Sequence, residues 1–281
     1  MSDSERSMVL RFAGDDEEMQ RACDNARATF RYFWRELSWE CRRIAAALDL
    51  ACIKARFTDP EPDSGDDDDS AIEHMWVSDV SFNGRLVSGV LLNSANGLKS
   101  VREGDAVQFP LSELSDWMYV STDQVCGGHT VQLMRSRMSS RERKEHDAAW
   151  DLEFGDPRSV RLVPDWYTGA GLVSKLFGRR PSEPGEHPMS EPMAASLKEQ
   201  LAQDPSLATA DEGRGWTLLH HEALAGNVAT VKVLLEAGAD RHAVTSHGQT
   251  PLQLAQSLGW DAVAELLRSF RAPSIRDRGF A

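Results

Sequence analysis

Five residues have side chains whose types and order could support catalysis: Glu73, His74, Asp116, Cys126 and His129. A thiol nucleophile needs a base within hydrogen-bonding reach, and Cys126 with His129 could supply that pair on neighbouring strand positions. This pattern makes a thiol-dependent hydrolase one hypothesis. The alternative is structural: Cys126 packs in a sheet, His129 donates to a loop carbonyl, and the two glycines between them form a bulge or tight turn.

Zinc binding has weaker support in the sequence. Cys126, His129 and His74 could serve as ligands, but no fourth ligand and no CxxC spacing accompany them. The pair His221-Glu222 does not begin an HExxH motif, because Ala225 stands where the second histidine is required. We therefore expect no metal ion among these residues.

An acidic segment, DPEPDSGDDDDS (Asp59–Ser70), approaches the pattern of a calcium loop. Its glycine falls at position seven instead of six, and Ser70 replaces the glutamate of position twelve. The segment is more typical of a solvated loop. The chain also has no GxxxxGK phosphate loop, so we predict no nucleotide hydrolysis and no cofactor.

The net charge of -13 is unevenly distributed. Residues 1–165 carry 20 basic and 31 acidic side chains, and residues 166–281 carry 11 and 13. An acidic first half argues against nucleic acid as a partner and favours a basic protein. No apolar run reaches membrane-spanning length and the start, MSDSERSMVLRF, lacks a signal-peptide pattern, so we expect a cytoplasmic protein that binds no membrane.

Hydrophobic periodicity divides the first 163 residues into helices followed by strands. Apolar residues spaced by three and four predict a helix over residues 15–37, and a second is expected over 39–48. Alternation around Ile53 predicts a strand, and Asn83-Gly84 predicts a hairpin turn. Further strands are predicted at DAVQF, DWMYV and HTVQLM. We expect an α+β domain with a mainly antiparallel sheet, in which Trp76 and Trp117 fill the core.

This first region resembles a known bacterial family in the order and spacing of its motifs. The shared landmarks are Glu73-His74-Met75-Trp76, Gly104-Asp105, Asp116-Trp117-Met118 and Gly127-Gly128-His129-Thr130. Residues of about 15–160 are similar to the YegJ-like domains of unknown function. The resemblance implies a compact bacterial cytoplasmic domain and brings no catalytic residues with it.

A segment rich in glycine and proline, residues 164–188, predicts a linker that could dock through Trp166 and Leu172. It separates the first domain, 1–163, from a C-terminal domain over 189–281. Both boundaries follow from composition alone.

The C-terminal region repeats with a period near 33 residues. Gly215, Thr217 and Leu219 recur as Gly248, Thr250 and Leu252. Residues of about 190–270 resemble ankyrin repeats, which implies an all-α domain of stacked helix pairs. A degenerate helix with Leu197 and Leu201 precedes the two copies, so we count about two and a half repeats. Glu222 replaces the small residue of the next copy and is expected to face a groove or the adjoining repeat.

These patterns favour a non-catalytic protein that binds another protein through the concave face of the repeats. The predicted concave face comprises turn and first-helix residues: Arg214, Trp216, His221, Glu222, Ala225, His247, Gln249 and Gln253. Trp216 is the expected anchor, because large aromatic residues are frequent binding hot spots; packing over the degenerate repeat is the alternative. An immunity protein that masks a basic toxin is a second hypothesis, beside the thiol hydrolase.

Overall fold

The computed structural model describes residues 16–59, 72–168 and 184–271. The chain forms two compact units, Met1–Pro164 and Asp165–Ala281. Two sequence predictions concern segments outside the described residues: the acidic loop beyond Asp59 and Leu172 of the linker. No helix of the described ranges is long and apolar enough to cross a membrane.

The described part of the first unit contains three α-helices and six strands. The helices are α1 (Glu17–Glu40), α2 (His129–Arg137) and α3 (Ser140–Trp150). The strands are β1 (Leu50–Thr58), β2 (Ile72–Phe82), β3 (Leu86–Leu91), β4 (Ala106–Pro110), β5 (Leu114–Ser121) and β6 (Gln124–Gly127). They form one sheet of order β4-β3-β2-β1-β5-β6, and every neighbouring pair is antiparallel.

Helix α1 confirms the first predicted helix. Asp16 caps it by accepting hydrogen bonds from the backbone N–H groups of Glu18 and Met19, both at 3.1 Å. The second predicted helix, over 39–48, is wrong. The Glu40 carboxylate accepts the N–H of Ala47 at 2.9 Å and holds an irregular turn, and the side chain of Ile44 is fully exposed, so no apolar face forms there.

The predicted hairpin at Asn83-Gly84 is confirmed between β2 and β3. Gly84 has φ of 85°, and the Asn83 side chain accepts the N–H of Leu86 at 2.9 Å. The predicted strand at HTVQLM is wrong, because His129 begins helix α2. Gly127 and Gly128, with φ of 79° and 70°, turn the chain out of the sheet just before that helix.

Helices cover both faces of the sheet, which explains why every residue of β5 is buried. Successive β5 side chains point to opposite faces. Trp117 and Tyr119 pack against Phe33 of α1, with ring centroids 6.0 and 6.5 Å away. On the other face, a cluster forms from Met118, Val120, Cys52, Val125, Val131 and Phe154. The prediction that tryptophans fill this core is confirmed for Trp117, which has no exposed surface.

The second unit is helical in its described residues, as the repeat pattern predicts. Its helices are α4 (Ser190–Gln203), α5 (Leu218–Ala225), α6 (Val228–Glu236), α7 (Pro251–Ser257) and α8 (Asp261–Ser269). Short 3-10 turns occupy Asp165–Thr168 and Pro205–Ala208, and a third, Leu111–Glu113, lies in the first unit. Helix α4 packs on α6, and α5 packs on α7. Two helix pairs therefore follow one preceding helix, whose Leu197 and Leu201 are buried.

Local signals set the helix ends of the repeats. Thr250 accepts the N–H of Gln253 at 3.3 Å, and the Gln253 side chain accepts the N–H of Thr250 at 2.9 Å, which completes a capping box. Gly238 follows α6 with φ of 93°, as expected of a left-handed helix end. These contacts fix the length of each helix and so the shape of each turn.

Candidate functional site

Two of the candidate catalytic residues, Cys126 and His129, lie on different elements. Cys126 is on β6 and fully buried, and His129 is the first residue of α2, so the predicted neighbouring strand positions are wrong. The His129 ring lies edge-on to Trp117, and its Nε2 is 2.9 Å from the Thr29 hydroxyl. That hydroxyl donates to the Asn25 carbonyl at 2.6 Å, so His129 Nε2 carries the proton and donates to Thr29.

Asp116 is fully buried and caps helix α2. Its carboxylate accepts the backbone N–H groups of His129 and Thr130 at 2.8 and 2.7 Å, and the Thr130 hydroxyl at 2.5 Å. Gly128 stands at the N-cap position of this helix and has no side chain that could accept these N–H groups. A carboxylate at a helix N-terminus is stabilised by the free N–H groups and by the helix dipole. Asp116 therefore positions α2 against the sheet.

Lys54 completes this buried group, although sequence alternation gave no indication of its burial. Its ammonium donates to the Thr130 hydroxyl at 3.1 Å and lies 4.6 Å from the centre of the Trp76 ring. Burial lowers the pKa of Lys54, and the nearby Asp116 carboxylate opposes that shift. The Asp116 carboxylate and the Thr130 hydroxyl are both close to this ammonium, so the arrangement can hold the charged lysine side chain in the interior.

The other two candidate residues, Glu73 and His74, bind loops and neighbouring strands. The buried Glu73 carboxylate accepts the backbone N–H groups of Asn96, Gly97 and Leu98. His74 Nδ1 is 2.6 Å from the Ser115 hydroxyl, and burial lowers its pKa to about 4. The five candidates are thus spread over separate contacts, and no group of three metal-binding side chains occurs among the described residues.

The predicted concave face is partly exposed and partly buried. Arg214, His247 and Gln253 are exposed, and Trp216, His221 and Gln249 are half-buried. Glu222 and Ala225 are 4% and 0% exposed, so a partner could not reach them. The Glu222 carboxylate accepts the Asn227 amide at 2.8 Å and the Thr230 hydroxyl at 2.5 Å. It joins the two helices of its own repeat, and its burial excludes the exposed groove, the first of the two positions expected for it.

Trp216 and His221 form one aromatic surface. Their ring centroids are 4.8 Å apart with an interplanar angle of 33°, and the Glu212 carboxylate is 3.2 Å from His221 Nε2. Backbone hydrogen bonds of Trp216 with Gly213 and Glu212 fix the turn that carries the indole. The arrangement places a tilted aromatic pair near an acid, Glu212, and near the exposed Arg214.

Sequence reasoning missed His220, the histidine of the T-x-L-H motif. It is fully buried, its Nδ1 contacts Thr217 at 2.9 Å, and its Nε2 donates to the Ala243 carbonyl of the next repeat at 3.1 Å. Burial lowers its pKa, and the bond to that carbonyl opposes the shift. The T-x-L-H motif is the sequence signal that could have identified this histidine.

A second joint between the repeats was also missed. The Trp260 indole donates to the Leu224 carbonyl at 3.0 Å. A side chain at Gly226 would collide with the Trp260 ring, because its Cβ would lie 2.3 Å from a ring carbon. The indole therefore fills the space that this glycine leaves open in the preceding repeat.

Comparison with known proteins agrees with this two-part architecture. Residues 16–154 match the family described as an uncharacterized protein conserved in bacteria (DUF2314), and residues 192–277 match a model of three ankyrin repeats. A putative ankyrin repeat protein of Neisseria meningitidis serogroup B is 42% identical over 252 residues, which are 90% of this chain and 93% of that protein. The chain belongs to the same family.

More limited similarities confirm the sequence resemblances. The uncharacterized protein YegJ of Escherichia coli is 31% identical over 83 residues, 30% of this chain and 48% of YegJ. The human NAD-capped RNA hydrolase NUDT12 is 38% identical over 73 residues, 26% of this chain and 16% of the hydrolase. The chain spans too little of the hydrolase for its activity to carry over. The ankyrin repeats and the Neisseria relative indicate a role in protein interaction.

Proposed function

We propose that this protein is a non-catalytic binding protein that takes up a protein partner on the concave face of its ankyrin repeats. The exposed and half-buried members of that face are Arg214, Trp216, His221, His247, Gln249 and Gln253. The observation that carries the proposal is the Trp216–His221 pair, in which the indole lies on a turn already fixed by backbone hydrogen bonds and its ring centre is 4.8 Å from that of His221. A preformed aromatic anchor needs little ordering when the partner binds.

Charge supports a basic region on the partner. Glu212 adjoins the aromatic pair, and the net charge of -13 lies mostly in residues 1–165, while residues 166–281 carry 11 basic and 13 acidic side chains. An acidic surface accelerates encounter with a basic protein and disfavours acidic competitors. The narrower hypotheses of a toxin-immunity protein and of a thiol hydrolase gain no support from the described residues or from the relatives.

The test starts with co-purification of the full chain from its native cells, mass-spectrometric identification of bound proteins, and titration of the purified partner. Trp216→Ala should weaken binding by roughly tenfold or more, because removal of a hot-spot aromatic costs about 2 kcal/mol. Trp166→Ala is the control, since Trp166 is an exposed tryptophan of the same unit that is not among the predicted residues of the concave face. Equal affinity of the Trp216→Ala variant and the wild type would refute the proposal.

A further inference from the structure

A hollow of about 600 Å³ lies between helices α2 and α3 and the loop that follows α3. Its lining contains four basic side chains, Arg135, Arg143, Lys144 and Arg158, and two acidic ones, Asp147 and Asp156. The local charge is therefore positive, in a chain whose net charge is -13. A concave positive site on an acidic protein attracts small anions from solution.

The two acids neutralise only part of this charge. Asp147 accepts two hydrogen bonds from Arg135, at 2.8 and 2.6 Å, and Asp156 pairs with Arg158 at 3.3 Å. Arg143 donates to the Ser140 hydroxyl at 3.3 Å. Within the described ranges, neither Arg143 nor Lys144 forms an ion pair with a carboxylate. The four basic and two acidic side chains leave a surplus of two positive charges at the hollow, where Asp156 interacts electrostatically with both Arg158 and Arg143.

The floor of the hollow is rigid. Arg135 is 3% exposed, donates to Gln132 at 2.6 Å and to the Gly155 carbonyl at 3.2 Å, and lies 5.0 Å from the centre of the Phe154 ring. Ser140, the first residue of α3, lines the same hollow, and the capping box of Ser139 and Glu142 fixes the N-terminus of that helix. These contacts hold Arg135 in place, so it supports the floor of the hollow, and the accessible cations Arg143, Lys144 and Arg158 are left to contact an anion.

We propose that this hollow binds a phosphate dianion, free or as the phosphomonoester of a small molecule. The surplus of two positive charges matches the charge of the dianion, and a guanidinium group, such as that of Arg143, can donate two N–H groups to phosphate oxygens. The volume lies within the range of small-molecule sites. Among the described residues that line the hollow, most side chains are charged or carry a hydroxyl group, so polar groups are available to a phosphate. This proposal is independent of partner binding by the repeats.

The test is calorimetric titration of the full chain with inorganic phosphate, glucose 6-phosphate and glucose at constant ionic strength. Phosphate or its ester should bind with millimolar affinity or better, and glucose should not bind. Arg143→Gln and Arg158→Gln should each weaken binding at least tenfold. Arg141→Gln is the matched control, because Arg141 lies on the same helix, is paired with Glu145 at 2.8 Å, and does not line the hollow. Circular dichroism checks that each variant is folded.

The titrations with inorganic phosphate and with glucose 6-phosphate also distinguish the two possible ligands. Tighter binding of inorganic phosphate identifies the free ion as the ligand, and tighter binding of the ester identifies a phosphorylated small molecule. If Arg143→Gln fails to fold, Lys144→Gln tests the same charge, since Lys144 is exposed at the rim. Absence of saturable binding by both phosphate compounds, or equal binding by the Arg143, Lys144 and Arg158 variants and the wild type, would overturn the proposal.

Discussion

At the scale of single residues, side chains that suggest catalysis from their types serve to hold the first unit together. Asp116 caps α2, Glu73 binds the N–H groups of a loop, and His129 donates to Thr29. A buried carboxylate with several N–H donors is stabilised without any bound ligand. The same residue types that perform acid–base chemistry therefore also satisfy buried backbone.

The first prediction concerns the thiols. Burial raises the pKa of Cys52 to about 12 and also raises that of Cys23, and Cys126 is fully buried, whereas Cys41 is exposed. Native protein treated with iodoacetamide at neutral pH should be modified at Cys41 roughly tenfold or more faster than elsewhere. Peptide mass spectrometry measures this, with guanidinium-unfolded protein as the control. Rapid native modification of Cys126 would instead favour the thiol-hydrolase hypothesis.

The second prediction concerns pH. Burial lowers the pKa of His74 to about 4 and also lowers that of His129 and His220. Their folded pKa values lie below the unfolded value of about 6.5, so the unfolded chain binds more protons in between. The free energy of unfolding should be highest above pH 6.5 and should fall as the pH is lowered toward 4. Urea denaturation at several pH values measures this.

The His220→Gln variant isolates the contribution of the repeats to this pH dependence. Glutamine occupies the corresponding capping position, Gln253, in the second repeat, and it does not titrate. The variant should lose stability at pH 7.5 and show a smaller further loss on acidification. A free energy of unfolding that rises between pH 7 and 5 in the wild type would contradict the expected sign.

At the scale of elements, hydrophobic periodicity predicted the secondary structure correctly where one face of the element is buried. It predicted the wrong structure where a contact with a residue elsewhere in the chain determines the element. The stripe of α1 and the turn at Asn83-Gly84 are local signals, and both elements formed as predicted. HTVQLM has the alternation of a strand, but Asp116, distant in sequence, supplies the cap that makes it a helix. The joint of Trp260 with Gly226 likewise depends on stacking that one repeat cannot show.

The third prediction tests that joint. Gly226→Ala should destabilise the repeats by about 2–4 kcal/mol, because it combines backbone strain at φ of 77° with collision against Trp260. Gly238→Ala is the matched control: its φ is 93° and no atom lies within 4 Å of the added Cβ, so backbone strain of about 1–2 kcal/mol remains. Chemical denaturation followed by tryptophan fluorescence measures the free energy of unfolding of both variants. Equal losses in the two variants would mean that the contact between residue 226 and Trp260 does not contribute.

At the scale of the whole molecule, the two expected regions are present, and the segment between them holds structure that composition concealed. Its described ends, 165–168 and 184–188, fall in the second unit. The Tyr167 hydroxyl donates to the Gly185 carbonyl at 3.4 Å, and the Tyr167 and His187 rings are 5.0 Å apart. Glu186 accepts the N–H of Ala229 at 2.8 Å in the first turn of α6. Glycine and proline content indicates irregular backbone and does not show whether that backbone is packed.

The fourth prediction follows from these contacts. A fragment of residues 165–281 should be more stable than a fragment of residues 189–281, by about 1–2 kcal/mol for the lost cap of α6 alone. Urea denaturation monitored by circular dichroism measures the difference. Glu186→Ala in the longer fragment should reproduce about half of it or more, and identical midpoints for the two fragments would mean that the contacts of 184–188 contribute nothing.

The joint formed by Gly226 and Trp260 has a consequence for lengthening the array. Thirty-three residues after Gly226, the second repeat has Gly259 with the same left-handed backbone, but Asn227 stands in the first repeat where the second has Trp260. Tandem duplication of the second repeat would therefore bring a new indole onto Gly259, whereas duplication of the first would bring an asparagine. Only the second repeat contains both the glycine and the tryptophan that this joint requires. It is therefore the repeat to duplicate when a longer array is built from this protein.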